Sequence, residues 1–135
     1  MNAGYVSKNL EVAKTYFQAV QTGDLETLGA LVAPSVVWYQ PGNNRFSGKH
    51  EGAQAVFGMI GGMMEVSQGS FKIETFNVVG GNKNNVAVIV EFSAARGDQS
   101  MRMVGVDMLT IEDGKIVEAW LYSADQVSED TFWGN

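Results

Sequence analysis

The chain has no cysteine, one histidine (His50) and two prolines (Pro34 and Pro41) in 135 residues. Without cysteine there can be no disulfide and no thiol nucleophile, and one imidazole cannot build a zinc site of the Cys/His type. The acids are not clustered in a way that would hold Mg²⁺, so no metal or other cofactor is expected. Positive charge is also scarce. Nine Lys and Arg against fifteen Asp and Glu leave a net charge of -6, whereas a nucleic-acid binder needs a basic surface to displace phosphate counterions. Anionic membranes are disfavoured for the same reason. No apolar run approaches the roughly 20 residues that span a bilayer, and the N-terminus lacks the basic-then-apolar pattern of a signal peptide. A soluble cytoplasmic protein with no nucleic-acid or membrane partner is expected.

What is present is a substantial core. A 45% hydrophobic fraction with 10% aromatics excludes disorder, and the length suits one domain over residues 1–135. The most informative stretch runs from Met101 to Asp125. Asp113-Gly114 between β-rich runs is a hairpin signal, because a two-residue type I′ turn requires φ > 0 at both central positions. Pairing Glu112 with Lys115 then sets Ile111 opposite Ile116, Leu109 opposite Glu118, Asp107 opposite Trp120 and Gly105 opposite Tyr122. Strand alternation places Met101, Met103, Gly105, Asp107 and Leu109 on one face with Glu118, Trp120 and Tyr122. A single carboxylate is thereby set among sulfur, aliphatic and indole groups, as in the wall of a hydrophobic pocket.

Upstream, Val6, Leu10, Ala13, Phe17 and Val20 recur at helical spacing, predicting a helix from Tyr5 to Thr22 with Tyr16 on its apolar arc. Tyr16 is either a core tyrosine bonded to backbone or a hydrogen-bond donor to the pocket. Gly23-Asp24 caps that helix and starts a second, Leu25 to Leu31, which Pro34 stops. Val36 to Gln40 reads as a short strand with Val36, Trp38 and Gln40 on one face; Trp38 suits core or ligand platform. Asn43 to Gly52 reads as an exposed polar loop, where His50 is a surface residue or a group titrating near neutrality. Glu51 to Glu65 predicts a third, glycine-weakened helix bearing Phe57 and several methionines, whose adaptable side chains suit a ligand wall. Phe71 to Val79 and Asn85 to Ala95 are strands joined by Gly80 to Asn84. Glu91 fits an edge or interface salt bridge, and the terminal pair Phe132-Trp133 should dock on its own domain or on a partner.

Helices followed by consecutive strands define an α+β domain, a curved antiparallel sheet covered by helices. Asp107 is the leading candidate. Burial among Met103, Leu109 and Trp120 penalises its charged form, so its pKa should rise and leave a carboxylic acid able to donate a hydrogen bond. Beside Tyr16 it could stabilise a developing enolate. The competing role is an ion pair with Arg102, although alternation points Arg102 to the opposite face.

The segments YFQAVQTGDLETL, VVWYQPG, SGKHEG and VDMLTIEDGKIVEAW, in this order and spacing, resemble the nuclear transport factor 2-like superfamily across nearly the whole chain. Within it the resemblance is to SnoaL-like polyketide cyclases and ketosteroid isomerase-like proteins. It implies a cone-shaped α+β barrel, with the sheet wrapped around the N-terminal helices, a deep apolar pocket and a homodimer packed through the sheet. It also implies that Tyr16 and Asp107 stand where the isomerase carries its oxyanion donors. Gln40, an amide, stands where that enzyme carries its general base. Tyr122 stands where cyclases and epoxide hydrolases of the superfamily place an acid, and Asp125 lies just beyond.

Three functions are compatible with these residues. The first is an isomerase- or cyclase-like acid–base catalyst on a small apolar carbonyl compound. Asp107 and Tyr16 would do the chemistry, Trp38, Trp120, Tyr122, Phe57 and Met103 would shape the site, and His50 could supply a base. The second is a non-catalytic pocket anchoring an apolar ligand through Gln40, Tyr16 and Asp107. The third is an interaction module in which the sheet and the Phe132-Trp133 tail make subunit contacts.

Overall fold

The computed structural model describes residues 2–135, with side chains from Val6 onward. Met1 and the side chains of residues 2–5, on which part of the N-terminal reading rests, lie outside it. The elements are α1 (Asn2–Thr22), α2 (Leu25–Leu31), β1 (Val32–Gln40), β2 (Gly48–Glu51), α3 (Ala53–Val66), β3 (Lys72–Asn82), β4 (Asn85–Arg96), β5 (Gln99–Glu112), β6 (Lys115–Ser123) and α4 (Gln126–Trp133). The expected α+β architecture is present, with one six-stranded sheet in the order β2-β1-β6-β5-β4-β3; the sheet is mixed and not wholly antiparallel as expected, because β1 and β6 run parallel. No helix among the described residues is long and apolar enough to cross a membrane.

Local chemistry explains most of the boundaries. Asp24 caps α2, its carboxylate accepting from the Thr27 amide at 3.1 Å and the Thr27 hydroxyl at 2.7 Å, which satisfies a donor that the helix leaves unpaired. Asp113 and Gly114 have φ of 52° and 77°, as a type I′ turn demands. Along β4, Val86, Val88, Val90, Phe92 and Ala94 all point into the core, as alternation requires. Helix α1 contributes Ala13, Tyr16, Phe17 and Ala19 to the same core.

Three expectations need correction. Pro34 does not separate α2 from a strand beginning at Val36, because β1 starts at Val32 and includes it. The pairing of β1 with β6 is interrupted between Val32 and Val37, where a residue without an N–H does no damage. The Asn43–Gly52 stretch is not wholly loop, since residues 48–51 pair antiparallel with β1, setting His50 opposite Trp38. The third correction decides which residues can reach a site. The hairpin pairs Glu112 with Lys115 and Ile111 with Ile116, but then Thr110 with Glu118, Leu109 with Ala119, Met108 with Trp120 and Asp107 with Leu121. Val117 is an extra residue in β6. A one-residue slip exchanges the faces of a strand, so Ala119, Leu121 and Ser123 accompany Asp107 while Glu118, Trp120 and Tyr122 turn outward.

The C-terminal segment folds back onto its own domain. Trp133 is fully buried and Phe132 nearly so, with their rings 5.0 Å apart and the Trp133 ring 5.2 Å from that of Phe46. The aromatic pair is therefore core and has no surface to offer a partner. Helix α4 is held by the loop after β1: Asp130 accepts from the Asn43 amide at 3.0 Å and Asn44 Nδ2 at 2.9 Å, and the Arg45 amide donates to the Gly134 carbonyl at 2.8 Å. Gly42 makes this close approach possible. Its φ is 87°, and a Cβ there would collide with the side chains of Gln126 and Asp130. Gly42→Ala should destabilise the protein by about 1–3 kcal/mol through strain and overpacking, read as a lower urea midpoint with an unchanged m-value.

Candidate functional site

Between the inner face of the sheet and the helices lies a cavity of about 90 Å³. Tyr16, Phe17 and Val20 line it from α1, Trp38 and Gln40 from β1, and Met59, Ile60 and Met63 from α3. The opposite wall is Phe71 with Ile73, Val90, Phe92, Asp107, Leu121 and Ser123, and α4 closes it with Glu129 and Trp133. The walls are thus mostly aromatic and aliphatic. Polar groups enter at only a few points.

Two of those points are Tyr16 and Asp107, 4% and 7% exposed. Neither side chain makes a hydrogen bond to another described residue, and since no buried side-chain polar atom among the described residues lacks a partner, their unpaired polar ends keep accessible surface at the cavity, where they can meet a ligand. Burial pushes the Asp107 carboxyl up to about 7, with the charge of Glu129 adding to the rise. Burial also pushes the Tyr16 phenol well above its ordinary value, with the charge of Asp107 adding to it. Both shifts favour the neutral, donating forms. Gln40 accepts from Trp38 Nε1 at 3.1 Å, which fixes the amide and leaves its NH₂ group at the cavity without a hydrogen bond among the described residues.

Glu129 is the functional candidate that the sequence reading passed over. It is 3% exposed. Its Oε1 accepts from the Ser123 hydroxyl at 2.6 Å and from Gln126 Nε2 at 3.0 Å, and its Oε2 from Trp133 Nε1 at 3.3 Å. The signal was present in the spacing. Glu129, Phe132 and Trp133 fall at i, i+3 and i+4, which makes Glu129 part of the apolar face of a short terminal helix.

The structure brings Tyr16, Trp38, Gln40 and Asp107 together on the cavity, and Tyr122 borders it although more than half exposed. The remaining expected site residues lie elsewhere. Trp120 is turned outward by the extra residue in β6, stacks on Tyr39 with ring centroids 3.8 Å apart, and donates to Glu118 Oε2 at 2.8 Å. Phe57 packs half-buried against the core, and Met103 is buried opposite Phe92, but neither lines the cavity. Met59 and Met63 take the place assigned to Met103. His50 Nε2 donates to the Phe46 carbonyl at 2.7 Å, outside the cavity lining, so it is not a pocket base. Asp125 is the N-cap of α4, accepting from the Ser128 amide and hydroxyl. Arg102 pairs with Glu91 at 3.0 Å on the outer face, which accounts for that acid and leaves Asp107 without a cationic partner.

The curved sheet covered by helices has the fold of the nuclear transport factor 2-like cone. A family model described as a SnoaL-like domain matches residues 13–119, and the chain belongs to that family. Among similar solved structures is a Xanthomonas campestris protein of unknown function with a cystatin-like fold. It is 48% identical, with 94% of this chain and 98% of that one covered and a TM-score of 0.90. Bal32a, from a soil-derived mobile gene cassette, is 25% identical over 96% of this chain and 98% of its own, also with a TM-score of 0.90. At 20% identity, the fold is shared with IdmH, a candidate polyketide cyclase from Streptomyces antibioticus. There 92% of this chain and 96% of that one are covered, and the TM-score is 0.72.

The Asp107 shift makes stability depend on pH. Between the ordinary 3.8 and about 7, the unfolded chain loses the Asp107 proton while the folded chain keeps it. That group's contribution is therefore fully present below the lower value, falls as pH rises, and levels off above the higher one. The total is up to roughly 4 kcal/mol. Asp107→Asn should flatten this slope and exceed wild type in stability above pH 7. Urea unfolding across a pH series measures both effects.

Proposed function

We propose that the protein binds a small apolar carbonyl compound in this cavity and acts on it as an isomerase- or cyclase-like acid–base catalyst. The observation that carries this reading is that Tyr16 and Asp107, both buried residues, present unused hydrogen-bonding groups to a mostly apolar cavity. A carbonyl oxygen accepts from both hydroxyls. As that oxygen gains charge on the way to an enolate, the two bonds strengthen, and the apolar walls keep water from competing. Trp38 and Phe92 supply flat apolar surface for the ligand body. Met59 and Met63 let the wall adjust, which a ligand of benzene size requires, since such a guest occupies a cavity of about 150 Å³.

A second reading has one observation in its favour. Gln40 cannot take up a proton near neutral pH, and a cavity in which no group takes up a substrate proton would bind an apolar ligand without transforming it. Both readings share a binding step that can be tested with phenol, whose oxygen mimics the developing oxyanion. In an NMR titration, Tyr16→Phe should weaken phenol binding about tenfold, equivalent to one lost hydrogen bond. Asp107→Asn should bind nearly as wild type does at pH 6. Wild-type affinity should fall as pH rises through about 7, while that of Asp107→Asn stays level. Affinity that ignores both Tyr16 and pH would rule out Tyr16 and Asp107 as the polar anchors.

The outer face of the sheet supports a homodimer in the same proposal. Ile89, Val104, Met108, Trp120 and Tyr122 are exposed there, and a contiguous apolar face of this kind suits burial against a second copy. Trp120→Glu should shift the protein to a monomer in sedimentation velocity with the fold retained. An unchanged sedimentation coefficient would remove this face from any interface.

A further inference from the structure

The catalytic reading leaves one role unfilled, the acceptor of the substrate proton. Gln40 is an amide, His50 is engaged by the Phe46 carbonyl, and Tyr16 is a donor. Among the described residues, one further carboxylate reaches the cavity. Glu129 is delivered by α4, and the Ser123 hydroxyl that binds it belongs to the residue paired with Gly105 across the β5–β6 ladder. Gly105 lies two residues before Asp107 on the inner face and carries no side chain, so the Glu129 carboxylate is set down beside Asp107. The two oxygens of Glu129 are not equivalent. Among the described residues, Oε1 receives two hydrogen bonds, at 2.6 and 3.0 Å, whereas Oε2 receives only the long one from Trp133 at 3.3 Å. A carboxylate has about four acceptor positions, and the unused capacity is greater on Oε2.

We propose that Glu129 is the general base of this site, taking a proton through Oε2 from the carbon next to a carbonyl whose oxygen is held by Asp107 and Tyr16. This rests on the carbonyl reading and adds to it the residue that moves the proton. The C–H bond breaks and its proton goes to Glu129. The C–H electron pair becomes the enolate double bond, and the carbonyl π pair moves to oxygen, where the two donors meet it. Return of the proton from Glu129 to the same or a conjugated carbon closes the cycle with no oxidant, reductant or co-reactant. The site thus divides the work between two buried carboxyl groups, one that gives a hydrogen bond and one that accepts a proton. The substrate class follows, a small ketone or enone with an acidic hydrogen on the carbon beside the carbonyl.

The test is exchange of the α-hydrogens of cyclohexanone for deuterium in D₂O, followed by NMR, with phenol binding measured in parallel. Wild type should exchange above the buffer rate. Glu129→Gln should lose at least 100-fold of that acceleration while binding phenol within about twofold of wild type. Formate should restore part of the exchange to Glu129→Ala, which a purely structural role for Glu129 would not produce. Exchange that survives in Glu129→Gln but is lost in Tyr16→Phe would overturn the assignment of Glu129 and leave the carbonyl reading standing. Phenol binding without exchange by wild type would overturn both and favour the non-catalytic pocket. Should circular dichroism show Glu129→Gln unfolded, Glu129→Asp, with its carboxylate drawn back by one methylene, decides. A folded, phenol-binding variant slowed at least tenfold supports the base, and a wild-type rate overturns it.

Discussion

The extra residue in β6 is the constraint on which the interior depends. Asp113-Gly114 fixes the start of the hairpin, but Val117 advances the register by one between the Ile111–Ile116 and Thr110–Glu118 pairs. Without it, Glu118, Trp120 and Tyr122 would point inward, and their bulk would occupy the space beside Asp107. With it, Ala119, Leu121 and Ser123 face the helices, and the volume they leave becomes the cavity. The same step supplies the hydroxyl that positions Glu129. It also moves two large aromatic residues to the outer face, where Trp120 finds the Tyr39 ring.

Much of the fold was legible because its signals are local. The 3.6-residue repeat of α1, the Gly23-Asp24 junction, the alternation of β4 and the Asp-Gly turn each follow from backbone and packing rules that act over a few residues. The site was legible in part. Tyr16, Trp38, Gln40 and Asp107 were identified from their positions on regular elements, and the structure sets them around one cavity. Trp120 was misplaced and Tyr122 is only marginal because their assignment extrapolated an ideal register through a bulge, and no residue type announces a bulge. Met103 faces inward as alternation predicts, but it lies opposite Phe92 and outside the cavity lining. The strand containing His50 was missed because four residues between a loop and a helix carry little periodic signal. Glu129 was missed for a different reason. A charged residue near a chain end reads as solvated until the ring packing of Phe132 and Trp133 shows that the helix carrying it is buried.

The buried carboxyl groups set a stability–function trade-off. An acid held neutral in an apolar wall favours folding less as pH rises. Asp107 carries that cost, and the electrostatics link it to its neighbours. The charge of Glu129 opposes ionisation of Asp107, and that of Asp107 opposes ionisation of Tyr16. A repacked version in which Asp107 became leucine would gain stability and lose the polar anchor, a pattern expected where strain or unmet polarity is retained for use.

The parallel pairing of β1 with β6 has a kinetic consequence. Strands β3 to β6 are joined by short turns and can assemble as a local meander. Trp38 meets Ala119 only after most of the intervening chain has been ordered, and closure over such a separation is slow because chain entropy is lost before contacts compensate for it. The wall bearing Trp38 and Gln40 is therefore expected among the last parts of the molecule to form. An intermediate lacking it would expose the inner face of the sheet, with Val88, Val90, Leu109 and Phe92, as an adhesive surface. A ligand that bridges α1 and β5 would act as a template for that last step, hastening maturation as well as stabilising its product.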